Sequence, residues 1–300
     1  MSRSTCSSES WTQESALIED TVRLNGSLLR YRNLALGASI VAAVLVAGIL
    51  APLLAPHDPY AQNLGSAFQS PGLKHLFGTD EYGRDMFSRV LYGARLSLLE
   101  ITVSVGMALS IGVPLGMLSG YLGGFVDHAI LWVTDILYAF PGIVLAILIV
   151  ALLGPGLWDS LIAISVFAIP LYTRLARNLA HSLKHMEYTE AARALGAGPW
   201  RILIHHILRN AAVPILAQAT LTAGDVVLTA SGLSFLGLGA QPPLAEWGAM
   251  MADGRNFLGV ATYLTLFPGA VITLTALGLN LLGDGLRDRF DPHFEPGSRS

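Results

Sequence analysis

Apolar residues in this chain gather into long unbroken runs rather than alternating with polar ones at a helical or strand period. Six runs stand out: Leu34–Leu54, Ser97–Leu118, Ala129–Leu153, Leu157–Tyr172, Ala211–Ala230 and Tyr263–Leu282. A helix rises 1.5 Å per residue, so about 20 apolar residues cross the hydrocarbon of a bilayer. Each run therefore predicts a membrane-spanning helix, the fourth a short one. Pro114, Pro141 and Pro170 fall within these runs, which spanning helices tolerate when neighbours re-satisfy the freed backbone groups. Gly154-Pro155-Gly156 predicts a tight turn between the third and fourth. The first run is too long, and its polar leader too extended, for a signal peptide. It is read as an uncleaved anchor.

One polar stretch interrupts this pattern, from Arg174 to Asn210. Within it, Ala191 to Leu195 are good helix formers, and Glu190 places a negative charge at the helix start, where the dipole favours it. Gly196 can take the left-handed backbone that ends such a helix. Gly198 and Pro199 read as the cap and first residue of a second helix. A helix of about two turns is marginal in water by itself. Its small alanines would let it lie closely in a groove on a partner. A solvated loop with a helical kink fits the spacing equally well.

Two further polar segments lie between runs. In residues 77–98, Met86, Phe87, Val90, Leu91 and Ala94 share one helical face, while Arg84, Arg89 and Arg95 are placed to reach water or headgroups. The pattern predicts an interfacial helix. Residues 234–258 carry a glycine-rich entry, Pro242-Pro243, then a short helix with Trp247, Met250 and Met251 toward lipid or core. This segment is either a loop lying on the membrane or a surface for a substrate-delivering protein or outer gate.

Composition agrees with a membrane protein: 53% of residues are hydrophobic and 13% charged, against about 25% charged in soluble domains. The net charge of −3 offers no basic field for nucleic acid. The single cysteine, Cys6, rules out an intrachain disulfide. The polar stretch Ser2–Asn33 has no apolar core of its own and is read as a flexible or loosely helical tail. Six spans put both termini on one side. Thirteen lysines and arginines fall on the side of the tails and the Arg174–Asn210 loop, and five on the other: Lys74, Arg84, Arg89, Arg95 and Arg255. Positive charge favours the cytoplasm, so the loop and both termini are expected there.

Ionisable residues inside apolar runs are functional candidates by default. Asp225 lies in the middle of the fifth run, where a carboxylate could meet the cationic amino end of a peptide, or a metal ion, on a pathway. It could equally be a packing carboxylate satisfied by Thr222, Thr229 or a neighbouring helix. Asp135 lies near one end of the third run without an evident partner, and Glu100 is expected to snorkel to the interface. His181 and His185 are four apart and could share a face, with His205 and His206 in the same loop. With no cysteine near, exposed or packing histidines are the expectation, and no metal. No phosphate-binding Gly-Lys loop, HExxH or nucleophile elbow occurs.

Glu190-Ala191-Ala192, three residues, then Gly196 resembles the EAA signature of ABC importer permeases. That family continues with isoleucine and Leu-Pro; this chain has Ile207, Leu208 and then Arg209. Further stretches are similar to the C-type permease of dipeptide, oligopeptide and nickel importers. They are Gly78-Thr79-Asp80 with Gly83-Arg84-Asp85, Ser119-Gly120-Tyr121 with Gly123-Gly124, and Ala139-Phe140-Pro141. Phe235 to Gly239 with Gln241-Pro242-Pro243, Asn280 to Asp288, and Asp291-Pro292 complete them, so the likeness runs from about Asn33 to Phe294.

The resemblance implies an all-α polytopic membrane protein with six transmembrane helices and the type I ABC importer transmembrane fold. Its expected layout is a cytoplasmic tail over 1–33, a first helix over 34–54, an extracytoplasmic segment over 55–96, a permease core over 97–286 and a cytoplasmic tail over 287–300. It implies coupling to an ATPase through Glu190, Ala191, Ala192, Leu195 and Gly196; Asp225, read from its mid-span charge alone, is the candidate for the translocation pathway. The implied setting is the bacterial cytoplasmic membrane, with a homologous permease, one or two ABC ATPase subunits, an extracytoplasmic substrate-binding protein and lipid as partners. The chain holds no cofactor in that reading; ATP and magnesium belong to the ATPase subunits. Peptides are the expected cargo, with nickel or another small solute as the alternative. An ion-coupled secondary transporter and a purely structural scaffold are the remaining readings.

Overall fold

The computed structural model describes residues 32–290, so Cys6, most of the N-terminal tail and the Asp291-Pro292 motif lie outside it. Helix α1 runs Arg32–Ile49 and is followed by a single turn, α2, at Ala51–Leu54. Then come α3 Met86–Leu122, α4 Gly124–Tyr138, α5 Gly142–Leu153, α6 Leu157–Leu183, α7 Glu187–Ala194, α8 Pro199–Arg201, a π-helical stretch Ile202–Leu208, α9 Arg209–Phe235, α10 Trp247–Gly254 and α11 Tyr263–Phe290. Five of the helical stretches are long and apolar enough to cross a membrane by themselves, and α4 with α5 form a bent pair.

The bundle has two distinguishable ends. Lys184 Nζ donates to Gly120 O at 2.9 Å, so α3 finishes where α6 finishes; this end carries α7 and is called the foot. Gly156 N donates to Leu238 O, so α6 begins where α9 finishes; this end is called the cap. The chain leaves α3 at the foot and enters α6 at the cap. The α4–α5 pair must therefore travel the full length, as one broken crossing. That brings the number of crossings among the described residues to six.

The expected third span is not straight. It bends by 88° between Tyr138 and Gly142, at Ala139-Phe140-Pro141. Pro141 has no N–H to continue the ladder, and it disfavours helix at the residue before it. The ring of Phe167 then packs against the Gly142 backbone, where a side chain would collide.

The expected interfacial helix does not stand apart either. Residues 86–98 are the first turns of α3, continuous with the span. Asp85 sets this start: its side chain accepts from Ser88 N at 2.8 Å, as an N-cap. Arg84 and Arg89, read as reaching water, are 4% and 2% exposed. Arg84 Nε donates to Asp80 Oδ2 at 2.5 Å and Arg89 Nη1 to the Pro59 carbonyl at 3.2 Å. Only Arg95 of the three is exposed. Asp80 Oδ1 accepts the Tyr82 and Arg84 amides, so the Gly78–Asp85 motif is the core of the cap segment rather than its surface. The Tyr263 hydroxyl donates to Thr79 O at 2.9 Å and ties this segment to α11.

The second cap segment is also inside. Trp247 is fully buried and donates its indole N–H to Val90 O at 2.9 Å; Met250 is buried and Met251 half-buried. Glu246 caps α10, accepting from Gly248 N and Ala249 N. Burial pushes its carboxyl above the usual range. Glu100, expected at an interface, is 1% exposed and lies within electrostatic reach of Glu246. The helix α3 places it there because Ser97, Glu100 and Ser104 share its buried stripe.

The tightest helix pair is α3 with α6. Gly112, Gly116 and Gly120 recur every four residues along α3 and meet the backbone at Ile169, Thr173 and Arg177 of α6. Ala176 and Ala180 fill the spaces between. Small residues let two helices approach at backbone distance, which supplies packing where lipid gives no hydrophobic drive.

Candidate functional site

The foot is assembled from the end of α6, α7 and the π-helical stretch. Helix α7 begins at Glu187, one turn earlier than the alanines alone predict, so Glu187 and Glu190 both lie in its first turn. The Thr189 hydroxyl donates to Leu183 O at 2.9 Å, which folds α7 back on the end of α6. Its far end closes as a Schellman motif. Gly196 N donates to Arg193 O and Ala197 N to Ala192 O, both at 3.0 Å. Gly196 takes φ +85, the left-handed value this cap requires. Gly198 does not: its φ of −69 and ψ of 160 are ordinary extended backbone, as expected before a proline. Of the two glycines, only Gly196 therefore needs the left-handed backbone.

The polar stretch is firmly rooted in the bundle. Ile202, Leu203 and Ile207 are buried against Ala176, Ala180 and Met117, a second apolar core distinct from the one at the cap. At Leu208 and Arg209 the backbone stays helical, with φ −60 at both. Arg209 thus continues the helix where the related pattern has proline, and the first proline of α9 is Pro214.

What the foot leaves uncovered includes large apolar side chains among its charges. Leu195 is 89% exposed and Trp200 66%, with Met186 and Tyr188 also exposed. Glu190, Ala191 and Gly196 are exposed beside them, while Ala192 is half-buried and turns toward the body. The five residues expected to couple are thus brought together on one short helix and its cap, four of them outward.

Two ion pairs hold α4 to α6, one near each end of α4. Arg177 Nε and Nη2 reach Asp127 Oδ1 and Oδ2 at 2.5 and 2.6 Å, a bidentate pair, and the Ser119 hydroxyl donates to the same carboxylate. Asp135 also has a partner: Arg174 Nη2 lies 2.6 Å from its Oδ1, with the Arg174 guanidinium over the Tyr138 ring. Spacing along the chain could not pair residues 39 apart. His181 and His185 lie exposed with their rings edge-on, 5.8 Å between centroids.

Asp225 sits apart from the foot, midway along α9. It is exposed on the surface of this subunit, although Thr222, Gly224 and Val226 around it are buried. Gly224 packs against Asn280 of α11, so the carboxylate leaves the helix on a different side from that contact. Tyr172 of α6 lies within its electrostatic reach.

A family model described as the inner membrane component of binding-protein-dependent transport systems matches residues 112–296. A dipeptide transport system permease protein of Alkalihalophilus pseudofirmus is 46% identical over 256 residues, 85% of this chain and 84% of that one. A probable D,D-dipeptide transport system permease protein of Escherichia coli K12 is 47% identical over 255 residues, covering 85% and 86%. A glutathione transport system permease protein of Pectobacterium atrosepticum is 42% identical over 265 residues, covering 87% of each. Among solved structures, the inward-facing MetNI methionine ABC transporter aligns with TM-score 0.56 and 20% identity, over 69% of this chain and 98% of that one.

Proposed function

The chain belongs to the family of binding-protein-dependent transport system inner membrane components, and on that premise we propose that it forms half of the translocation pathway of a peptide importer. It is a multi-pass permease subunit of the bacterial inner membrane, and the ATPase of such a system is a separate subunit. The foot is its grip on that ATPase. The observation that supports this is the apolar surface of α7 and its cap. Leu195, Tyr188 and Met186 stand outward on a two-turn helix that is marginal unless something covers it. Glu190, Ala191, Ala192, Leu195 and Gly196 form the docking element. Because α7 is tied to α6 and α9 by Thr189 and by Ile202 and Ile207, ATPase movement at α7 is passed to two spanning helices.

The foot then faces the cytoplasm, and the cap faces outward toward a substrate-binding protein. The charge bias supports this sidedness. Two of the five outward basic residues, Arg84 and Arg89, are buried among Asp80 and the Pro59 carbonyl. A homologous permease completes the pathway across α9. With Ala194 replaced by cysteine, a thiol cross-linker applied to the assembled transporter is expected to capture the ATPase chain in a nucleotide-dependent way. Capture of no nucleotide-hydrolysing neighbour would remove the coupling assignment.

Peptides are the proposed cargo, as in the relatives named for dipeptides and glutathione. Asp225 carries the proposal on this chain. A carboxylate held in hydrocarbon is costly, so an exposed one at mid-span belongs on a polar path shared with the second permease. There it meets the ammonium end of a peptide. Asp225→Asn is expected to lower uptake of dipeptides with a free amino terminus by about 10–100-fold, the worth of one charge-assisted hydrogen bond. Uptake of N-acetylated dipeptides should change little. If instead Asp225→Ala lowers the melting temperature and leaves the preference between the two peptides unaltered, Asp225 is a packing residue.

A further inference from the structure

The cap holds a polar constellation to which the proposed function assigns no role. His57, His75 and Asp85 come from three separate turns of the 55–85 segment and converge at the start of α3. His75 Nδ1 lies 2.8 Å from Asp85 Oδ1, and His57 Nδ1 lies 3.7 Å from the same oxygen. The two imidazoles stack, with centroids 4.8 Å apart and planes 30° from parallel. One donor atom from each residue falls within 4.8 Å of the other two. His75 and Asp85 are 7% and 2% exposed, while the His57 side chain is half-buried.

The arrangement is supported from behind. Asp85 Oδ2 accepts the Ser88 amide at 2.8 Å and the Ser88 hydroxyl at 2.7 Å. That saturates one carboxylate oxygen and aims Oδ1 at the histidines. The Ser88 oxygen in turn accepts the His57 amide at 3.2 Å, which fixes the first histidine to the same frame. Oriented carboxylates and imidazoles of this kind are what holds the inner ligands of a metal site in place.

A plain hydrogen bond from His75 to Asp85 accounts for two of the three groups. It does not account for the third. The Nδ1 atom of His57 is sealed from solvent and makes no hydrogen bond with any described residue. A buried ring nitrogen without a partner is costly. A cation at the shared vertex gives it one, and engages the other two at the same time.

We propose that His57, His75 and Asp85 form a divalent transition-metal site of the zinc class that braces the cap segment. Two imidazoles and one carboxylate are donors zinc accepts; calcium and magnesium want oxygen alone. A tetrahedral centre about 2.0–2.2 Å from each ligand has ligand–ligand edges of about 3.3–3.6 Å. The 3.7 Å contact is close to that already, and the 2.8 Å contact opens by about half an ångström. Water would supply the fourth ligand of a tetrahedral centre. The metal closes a loop from residue 57 to residue 85 over the first turn of α3, and its binding energy adds to the stability of the folded cap.

The test uses the assembled transporter, purified without a histidine tag and stripped with a chelator. Cobalt(II) is titrated as the probe, and the visible bands of four-coordinate cobalt are read. One equivalent is expected in the parent and in a His181→Gln/His185→Gln double variant. It should be lost in His57→Gln, a change at a half-exposed side chain that leaves the His75–Asp85 contact intact. Zinc should raise the melting temperature of the parent and not of His57→Gln. Failure of the parent to take up a stoichiometric ion, or equal uptake by His57→Gln, overturns the site.

Discussion

Replacing Gly196 by valine is expected to cut uptake by about 100-fold while the protein still inserts and melts near the parent temperature. The site is chosen by its backbone, not by crowding. Its φ is +85, and a side chain there would meet nothing within 4 Å in this chain. A β-branched residue in that conformation costs about 1–2 kcal/mol. The strain falls on the Schellman cap, whose two hydrogen bonds end α7 and aim Leu195 outward. The bundle does not depend on that cap; the ATPase contact does. Coupling energies of about 1–3 kcal/mol correspond to roughly 5–150-fold, and loss of the cap should fall at the upper end, near 100-fold in uptake. Two companions separate conformation from bulk. Gly196→Asn, which tolerates the left-handed region, should retain much of the uptake. Gly198→Ala, at an extended φ of −69 with open space around it, should behave as the parent. Normal ATP-dependent uptake by Gly196→Val would remove the foot from the mechanism.

The same comparison shows what a linear reading of the chain reaches. Runs of apolar residues reveal where the chain crosses the membrane, because hydrocarbon imposes one requirement on every span. Local backbone chemistry is legible for the same reason: Gly196, Gly198 and Pro199 act through their own φ and ψ, so the cap of α7 and the start of α8 follow from three residues. Burial of charge is not local. Arg84 and Arg89 look like headgroup ligands until Asp80 and the Pro59 carbonyl close around them. Glu100 looks like a snorkelling residue until α10 brings Glu246 beside it. The pairing of Asp135 with Arg174 spans 39 residues, beyond the reach of local spacing. The convergence of His57 and His75 on Asp85 is hidden in the sequence because it depends on turns, not on a ligand spacing. One packing signal is legible in the sequence itself: Gly112, Gly116 and Gly120 recur at four-residue intervals in an apolar helix.

That glycine stripe carries the largest expected effect on stability. Gly116→Val should prevent α3 and α6 from seating, lowering the melting temperature of the solubilised protein by roughly 6–12 °C if the cost reaches about 3 kcal/mol. At this position a single added carbon already collides with the Thr173 carbonyl and the Ala176 methyl. A carbonyl of the α6 backbone cannot swing aside as a side chain can, so the helices must part. Separation would also spread outward from the contact. Thr173 and Ala176 lie on the same face as Tyr172 and Ala180, and parting them unseats the core that holds Ile202 and Ile207 at the root of the foot. Stability and coupling should therefore fall together in Gly116→Val, whereas Gly196→Val should lose coupling alone. The control is on the same helix: Gly106 has nothing within 4 Å of an added carbon, so Gly106→Val should melt as the parent does. A Gly116→Val protein with the parent's melting temperature would mean that the close approach of α3 to α6 is not what holds the two helices together.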